Sequence, residues 1–291
     1  MSWIAFSVDV EEWFHILDTD QIPPRSKWDS QPNHVENNTR RVLDLLDRAG
    51  VRGTFFTLGW VAERHPDLVR EIARRGHEVA SHGHEHKLAY QIGRSAFRED
   101  TLRSKSILED LIGEEVLGFR AAGFSITEST PWAFDELASL AFRYDSSVFP
   151  ARRGHGGLRG APAVPHRIRS RESGSLIEFP IAPFEAGPFR FPFSGGGYLR
   201  LYPVAVTRWC FERLLERQIA ANIYIHPREM DPSHPRLPLS PLRRFKTYVN
   251  IERFEEKVAI LLQGFPADTF RRFRDALEDV ETSNRIEEVI L

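Results

Sequence analysis

The sequence predicts an α/β fold, an irregular (β/α)7-type barrel with a C-terminal helical extension. Strand-like and helix-like pieces alternate through the first 230 residues, the pattern of parallel strands joined by crossover helices. Five or more such units favour a closed ring over an open sheet. The residues with chemical potential all fall where a strand gives way to a loop, which is where barrels gather their active sites. Residues 1–239 are assigned to the barrel, and residues 240–291 to a helical extension packed on it.

The elements follow in order. "WIAFSVDV" opens the chain as an apolar strand. "NHVENNTRRVLDLLDRAG" is an amphipathic helix, with Val42, Leu45 and Leu46 on one face and Gly50 past its end. "VRGTFFTL" is the next strand. "HPDLVREIARRG" is a short helix with Pro66 near its start and Gly76 as its stop. "HEVASH" is a third strand, "SAFREDTLRSKSILEDLIG" a helix and "VLGFRAAG" a fourth strand. "TPWAFDELASLA" is a helix capped by Thr130, with Pro131 at its first position, and "FRYDSSVF" is a strand. From 150 to 200 the alternation lapses. A loop-like stretch holds six arginines between Arg152 and Arg171, and short strands and turns lead to the triple glycine 195–197. The arginines read as a solvated loop or as a rim for an anionic group. The helix "VAVTRWCFERLLERQ" and the strand "ANIYIHP" resume the pattern. Helical periodicity returns in "IERFEEKVAILLQG" and "DTFRRFRDALEDV".

Composition narrows the function. A net charge of −2 over 291 residues, with 27% charged and 41% hydrophobic residues, gives no support for nucleic-acid binding. The 21 phenylalanines fit a large core. Cys210 is the single cysteine, which excludes an internal disulfide, and its helical setting marks a buried structural thiol. No apolar run reaches the ~20 residues of a membrane span. The N-terminal stretch lacks a basic region and meets an acid at Asp9, so a signal peptide is not expected and a cytoplasmic protein is. Oligomeric state stays open.

Four strand ends carry chemistry. Asp9 and Glu11 are two apart and share a side of an extended chain, with Glu12 facing away. Two such acids repel unless a cation lies beside them. "HGHEH" puts three histidines into residues 82–86. If the chain stays extended, His82, His84 and His86 share a face; if it bends into helix, His82 and His86 do. Neutral imidazole suits zinc and its neighbours. Two histidines with one carboxylate leave positions open for water and substrate, the mark of a catalytic site. Arg120 ends another strand and is placed to keep one acid ionised and oriented. His226 ends a late strand, fixed by Pro227, and suits a general acid.

Taken together, "SVDVEE", "SHGHEH", "FRAAGFS" and "YIHP" resemble, in kind and order, the motifs of the polysaccharide deacetylases, carbohydrate esterase family 4, or nodulation-protein B homology domain. The resemblance covers residues 1–235 or so. It is strongest to a branch linked to bacterial exopolysaccharide loci, through "VDVEEWFH", "RAAGFSIT", "SGGGYLRL", "HPREMDP" and "RFKTYVN". It implies Asp9 as general base, Glu11, His82 and His86 as metal ligands, Arg120 orienting Asp9, the Gly123 N–H at the oxyanion and His226 as acid. His84 is then a spare. Gly196, Tyr198 and Arg228 are expected at the substrate.

The chain departs from the pattern at four places. Val10 stands where most members have a second aspartate, so the metal role passes to Glu11. Ala122 replaces a proline, Gly123 a serine and Arg228 a tryptophan. No motif locates the usual acid partner of His226; Asp145 and Asp231 are the candidates. The implied activity is metal-dependent removal of N-acetyl groups from amino sugars of a bacterial exopolysaccharide or its lipid-linked precursor, with zinc as the ion. The alternatives are hydrolysis of another small amide such as a cyclic ureide, and a metal-bearing sugar-binding protein without turnover.

Overall fold

A computed structural model describes residues 2–17, 19–151, 156–169, 172, 174–187, 189–283 and 286–290. Strand β1 (Ile4–Val10) is followed by α1 (Val35–Ala49), β2 (Thr54–Thr57), α2 (Gly59–Arg64), α3 (Pro66–Arg74) and β3 (Glu78–Ser81). Then come α4 (Ala89–Ile112), β4 (Gly118–Phe119), α5 (Trp132–Ser139), β5 (Tyr144–Asp145), β6 (His166–Arg169) and β7 (Ser175–Glu178). A hairpin of β8 (Phe184–Ala186) and β9 (Phe189–Phe191) precedes α6 (Gly196–Leu201), α7 (Val204–Glu216) and β10 (Ala221–Ile225). The chain finishes with α8 (Pro241–Tyr248), α9 (Phe254–Gln263), β11 (Phe270–Arg271), α10 (Phe273–Glu281) and β12 (Glu288–Ile290).

The sheet runs β10-β1-β2-β3-β4-β5-β7-β6-β12, with β11 beside β1. Its neighbours are parallel except β6 and β7. The expected α/β barrel is therefore present, and it is irregular at its seam. Among the described residues no ladder joins β7 to β10; instead Asn222 Nδ2 donates to the Pro180 carbonyl at 3.3 Å.

Strand alternation sorts the two cores. Ile4, Phe6, Val8 and Val10 of β1 pack outward beneath the helices. Trp3 and Ala5 face inward with Phe56, Tyr144, Phe179 and Phe273. Phe273 of α10 stacks on Phe179 with ring centroids 4.9 Å apart, inside one end of the ring. At that end Glu78 accepts hydrogen bonds from Thr54 Oγ1 (2.7 Å), Tyr144 OH (2.8 Å) and the Arg274 N–H (3.0 Å). The other end, where the parallel strands finish, gathers polar residues around a small cluster of Phe124, Phe149, Ile181 and Tyr224. Cys210 is buried on α7, and burial pushes its thiol up to about 11, in keeping with a structural role.

Several elements differ from expectation. The stretch 152–171 is not all loop, because His166–Arg169 forms β6. Within it Arg169 pairs with Glu288 on β12 at 2.8 Å, and Arg167 donates to the Glu281 carbonyl at 3.5 Å. Those two arginines thus bind the C-terminal segment rather than forming a rim; Arg159 is exposed, and Arg152, Arg153 and Arg171 lie outside the described residues. Residues 240–291 contribute two short strands as well as helices. The short helix α2, not apparent from periodicity, fills the turn after β2.

Candidate active site at the strand ends

Because β1, β3, β4 and β10 run parallel, Asp9, His82, Arg120 and His226 arrive at one end of the ring. Ser7 and Asp9 follow Trp3 and Ala5 on the inward side of β1, and Arg120 meets both. Its Nη1 donates to Asp9 Oδ1 at 2.7 Å and to Ser7 Oγ at 3.0 Å. Its Nη2 and Nε donate to Ser146 Oγ and the Ser146 carbonyl at 2.9 and 3.2 Å. The guanidinium lies 4.0 Å from the centre of the Phe56 ring. A fully buried cation is tolerated only with such a complete set of acceptors.

Glu11, just past β1, turns to the histidines. Its Oε1 is 3.1 Å from His82 Nε2 and 2.9 Å from His86 Nε2. His82 Nδ1 lies 2.7 Å from the Arg120 carbonyl. A carbonyl only accepts, so Nδ1 carries the proton and, in a neutral ring, Nε2 presents a lone pair to a carboxylate. Two acceptors facing each other need a cation between them. His86 Nε2 is also buried and makes no hydrogen bond, despite its closeness to Glu11. These three residues offer ligand atoms within 4.8 Å of one another, so their donor set fits a divalent ion. Burial works against the Glu11 carboxylate, but the positive charge that His86, His226 and His82 can carry beside it outweighs burial and holds its pKa well below the usual range.

The two histidines do not converge by helical spacing. Residues 82–88 are neither helix nor strand. Gly83 and His86 adopt positive φ (75° and 53°), and this doubling-back turns both rings toward Glu11. His84 points away. Its ring is buried with neither nitrogen hydrogen-bonded, and its Nε2 is 3.8 Å from Glu63. Glu12 also faces elsewhere, accepting from the N–H groups of His34 and Val35 at 2.9 and 3.0 Å at the start of α1.

His226 completes the centre, its Nε2 3.8 Å from Asp9 Oδ2 and 3.9 Å from Glu11 Oε1. Burial lowers its pKa to about 4, Arg228 pushing the same way and Glu11 and Asp9 opposing. Neither proposed acid is its partner. Asp231 bonds His34 at 2.7 Å, and Asp145 accepts from Ser147 Oγ at 2.6 Å beside Glu178. The partner is Glu229, whose Oε2 accepts the His226 N–H at 2.9 Å and lies 3.4 Å from Nδ1. The signal was present as H-P-R-E, a capping box at the 3-10 turn Pro227–Met230.

Gly196 serves this arrangement from behind, since a Cβ there would sit 1.8 Å from Glu229 Oε2. Tyr198, one step on, stacks with Tyr202 at 6.3 Å. Gly123 follows β4 in a tight turn, with φ of 60°. Arg228 reaches the centre, its Nη1 3.9 Å from Glu11 Oε2. Sequence reasoning missed Ser7, Ser146 and Glu229, and also the aromatic wall beside His86. There His15 lies 5.5 Å from His86, 4.5 Å from Trp28 and 5.4 Å from Trp60, ring centre to ring centre.

Residues 26–142 match the family model for polysaccharide deacetylase, and residues 146–277 match a domain of unknown function. The first span holds His82, His86 and Arg120, and the second holds His226 and Arg228; Asp9 and Glu11 precede both. The peptidoglycan-N-acetylglucosamine deacetylase of Bacillus cereus is 27% identical over 139 residues, covering 48% of this chain and 64% of that protein. The chitooligosaccharide deacetylase of Rhizobium leguminosarum bv. trifolii is 46% identical over 55 residues, covering 19% of this chain and 25% of that one. The chain thus spans less than two thirds of either relative. A Mycobacterium smegmatis protein assigned as a polysaccharide deacetylase has the same fold at a TM-score of 0.66 and 23% identity, over 99% of this chain and 92% of its own. Residues 26–142 are thus a polysaccharide deacetylase domain, and the chain as a whole has the fold of the Mycobacterium smegmatis protein.

Proposed function

We propose that this protein hydrolyses N-acetyl groups from amino sugars of a bacterial exopolysaccharide or its lipid-linked precursor, using a zinc ion held by Glu11, His82 and His86. The observation that carries this is the meeting of Glu11 Oε1 with two histidine Nε2 atoms beside an acid, Asp9, fixed by Arg120. Asp9, Glu11 and His226 form a second group of converging ligand atoms. The closer approach of His82 and His86 to Glu11 favours the first group and leaves Asp9 and His226 for proton transfer. Held by Glu11, His82 and His86, the ion would supply Lewis acidity toward the acetamide carbonyl and a water.

Arg120 occupies Asp9 Oδ1 and leaves Oδ2 as the base. Asp9 takes the proton as the water oxygen bonds to the acetyl carbon. The Gly123 N–H supports the charge that develops on the acetyl oxygen. His226 protonates the nitrogen as the carbon–nitrogen bond breaks, and acetate and a free amine leave. The 3.8 Å between Asp9 Oδ2 and His226 Nε2 is a short path by which the proton taken at one side returns at the other. Glu229 keeps the His226 ring turned to that task.

The test is acetate release from a panel of acetylated glycans, with and without a chelator, with ring opening of a cyclic ureide as the control reaction. Chelator-sensitive acetate from amino-sugar substrates is expected. Ring opening without acetate would replace this function with the amidohydrolase alternative, and tight sugar binding without acetate at any pH would point to a binding protein.

A further inference from the structure

Arg228 is not used by the chemistry above. Its Nη1 is buried and makes no hydrogen bond, and Glu11 Oε2 lies 3.9 Å away. That carboxylate is already committed to His82 and His86. Asp9 is likewise committed, to Arg120. The two acids and two arginines at the centre cancel in formal charge. A divalent ion on Glu11 then leaves an excess of two positive charges in a largely buried place, where screening is weak.

More positive charge lies beyond. Arg243 Nη2 donates to the carbonyl of Leu17, two residues past His15, whose ring stands 5.5 Å from that of His86. Arg243 also lines a groove of about 490 Å³ together with Lys246, Leu242 and Asp20. Asp20 is the acid on that wall. Leu242 and Phe245 of α8 are 67% and 53% exposed beside it, large apolar side chains facing outward from a helix that carries Arg243, Arg244 and Lys246 and no acid.

We infer that Arg228, with Arg243 and Lys246 beyond it, forms a phosphate-binding subsite next to the reacting centre, and that the substrate is an acetamido sugar carrying a phosphate. A guanidinium fork matches a phosphate in a way a neutral wall does not. The inference rests on the deacetylase function for the nature of the sugar. The phosphate belongs either to a free sugar phosphate or to a sugar joined through diphosphate to a lipid.

The experiment measures binding by calorimetry to the zinc-loaded protein, so that it does not depend on turnover. N-acetylglucosamine, N-acetylglucosamine 1-phosphate and the same sugar on a short prenyl diphosphate are the probes. The wild type is expected to bind both phosphorylated sugars about tenfold or more tightly than the neutral one. Arg228→Gln is expected to lose that preference while holding its zinc, and Arg228→Lys to keep part of it. A stronger gain for the prenyl diphosphate assigns the phosphate to a lipid-linked substrate; equal gains assign it to a soluble one. Equal binding of charged and neutral sugars by the wild type overturns the inference. So does a preference that survives in Arg228→Gln, since the metal alone would then be its source. Acetate release from the same sugars is read separately, so loss of the deacetylase function and loss of the subsite are told apart.

Discussion

Arg120 shows what a buried charge requires. It is wholly enclosed, and its guanidinium donates hydrogen bonds to oxygens of Asp9, Ser7 and Ser146. Removing one member of such a set leaves the others buried and unpaired. Arg120→Met is therefore expected to lower stability by about 3–5 kcal/mol, read as a shift in the urea midpoint. Asp9→Asn keeps the size and the contact with Arg120. It should still retain metal by elemental analysis, while acetate release falls about a hundredfold or more. Wild-type acetate release in that variant would remove Asp9 from the role of base. Glu229→Gln keeps an oxygen near His226 but not the charge. Its kcat should fall about tenfold with KM little changed, because the ring is positioned by Glu229 and the substrate is not; a rise in KM alone would place Glu229 at the substrate instead.

Elements bring these residues together by close approach. Helix α6 presses on the turn after β10 through Gly196, which leaves no room for a Cβ against the Glu229 carboxylate. Gly196→Ala is expected to displace Glu229, cost about 1–3 kcal/mol and reduce kcat alongside. A variant with normal stability and rate would show that the contact is not needed. The elements also mark where the sequence was legible. Alternation gave β1, β2, β3 and the helices α1 and α3, and period two put Asp9 and Glu11 on one side, where the two acids meet. The convergence of His82 and His86 was found for the wrong reason. It depends on positive φ at Gly83 and His86, which no periodicity encodes. The partner of His226 was missed because an aspartate was sought, although Glu229 stood three residues on. Strand β6 was hidden among arginines whose partners, such as Glu288, are distant in sequence.

At the scale of the whole molecule, we propose that residues 240–291 fold with the barrel as one unit. Phe273 lies among Trp3, Phe56, Tyr144 and Phe179, drawn from four different parts of the chain. Phe273→Ala should cost about 3–5 kcal/mol and keep a single melting transition; a separate early transition would show an independent extension. Acid should weaken the same unit. Burial, with Arg52 adding, lowers His77 to about 4, and burial lowers His234 to about 4 as well. In the unfolded chain both rings protonate near 6.5. Between those values the unfolded state binds more protons, so this stability is present above about 6.5 and is lost as the pH falls toward about 4. His77→Gln with His234→Gln should flatten the dependence of melting temperature on pH across that window, and an unchanged slope would assign it to other groups. The partners of β1 are spread along the chain, and this bears on biosynthesis. Its seven residues pair with β10 and β11, which leave the ribosome more than two hundred residues after it. Until then the most apolar strand of the ring waits with one edge unclaimed, exposed to neighbouring nascent chains. Slow translation or scarce chaperones should therefore lower the yield of soluble protein before they alter anything about the finished fold.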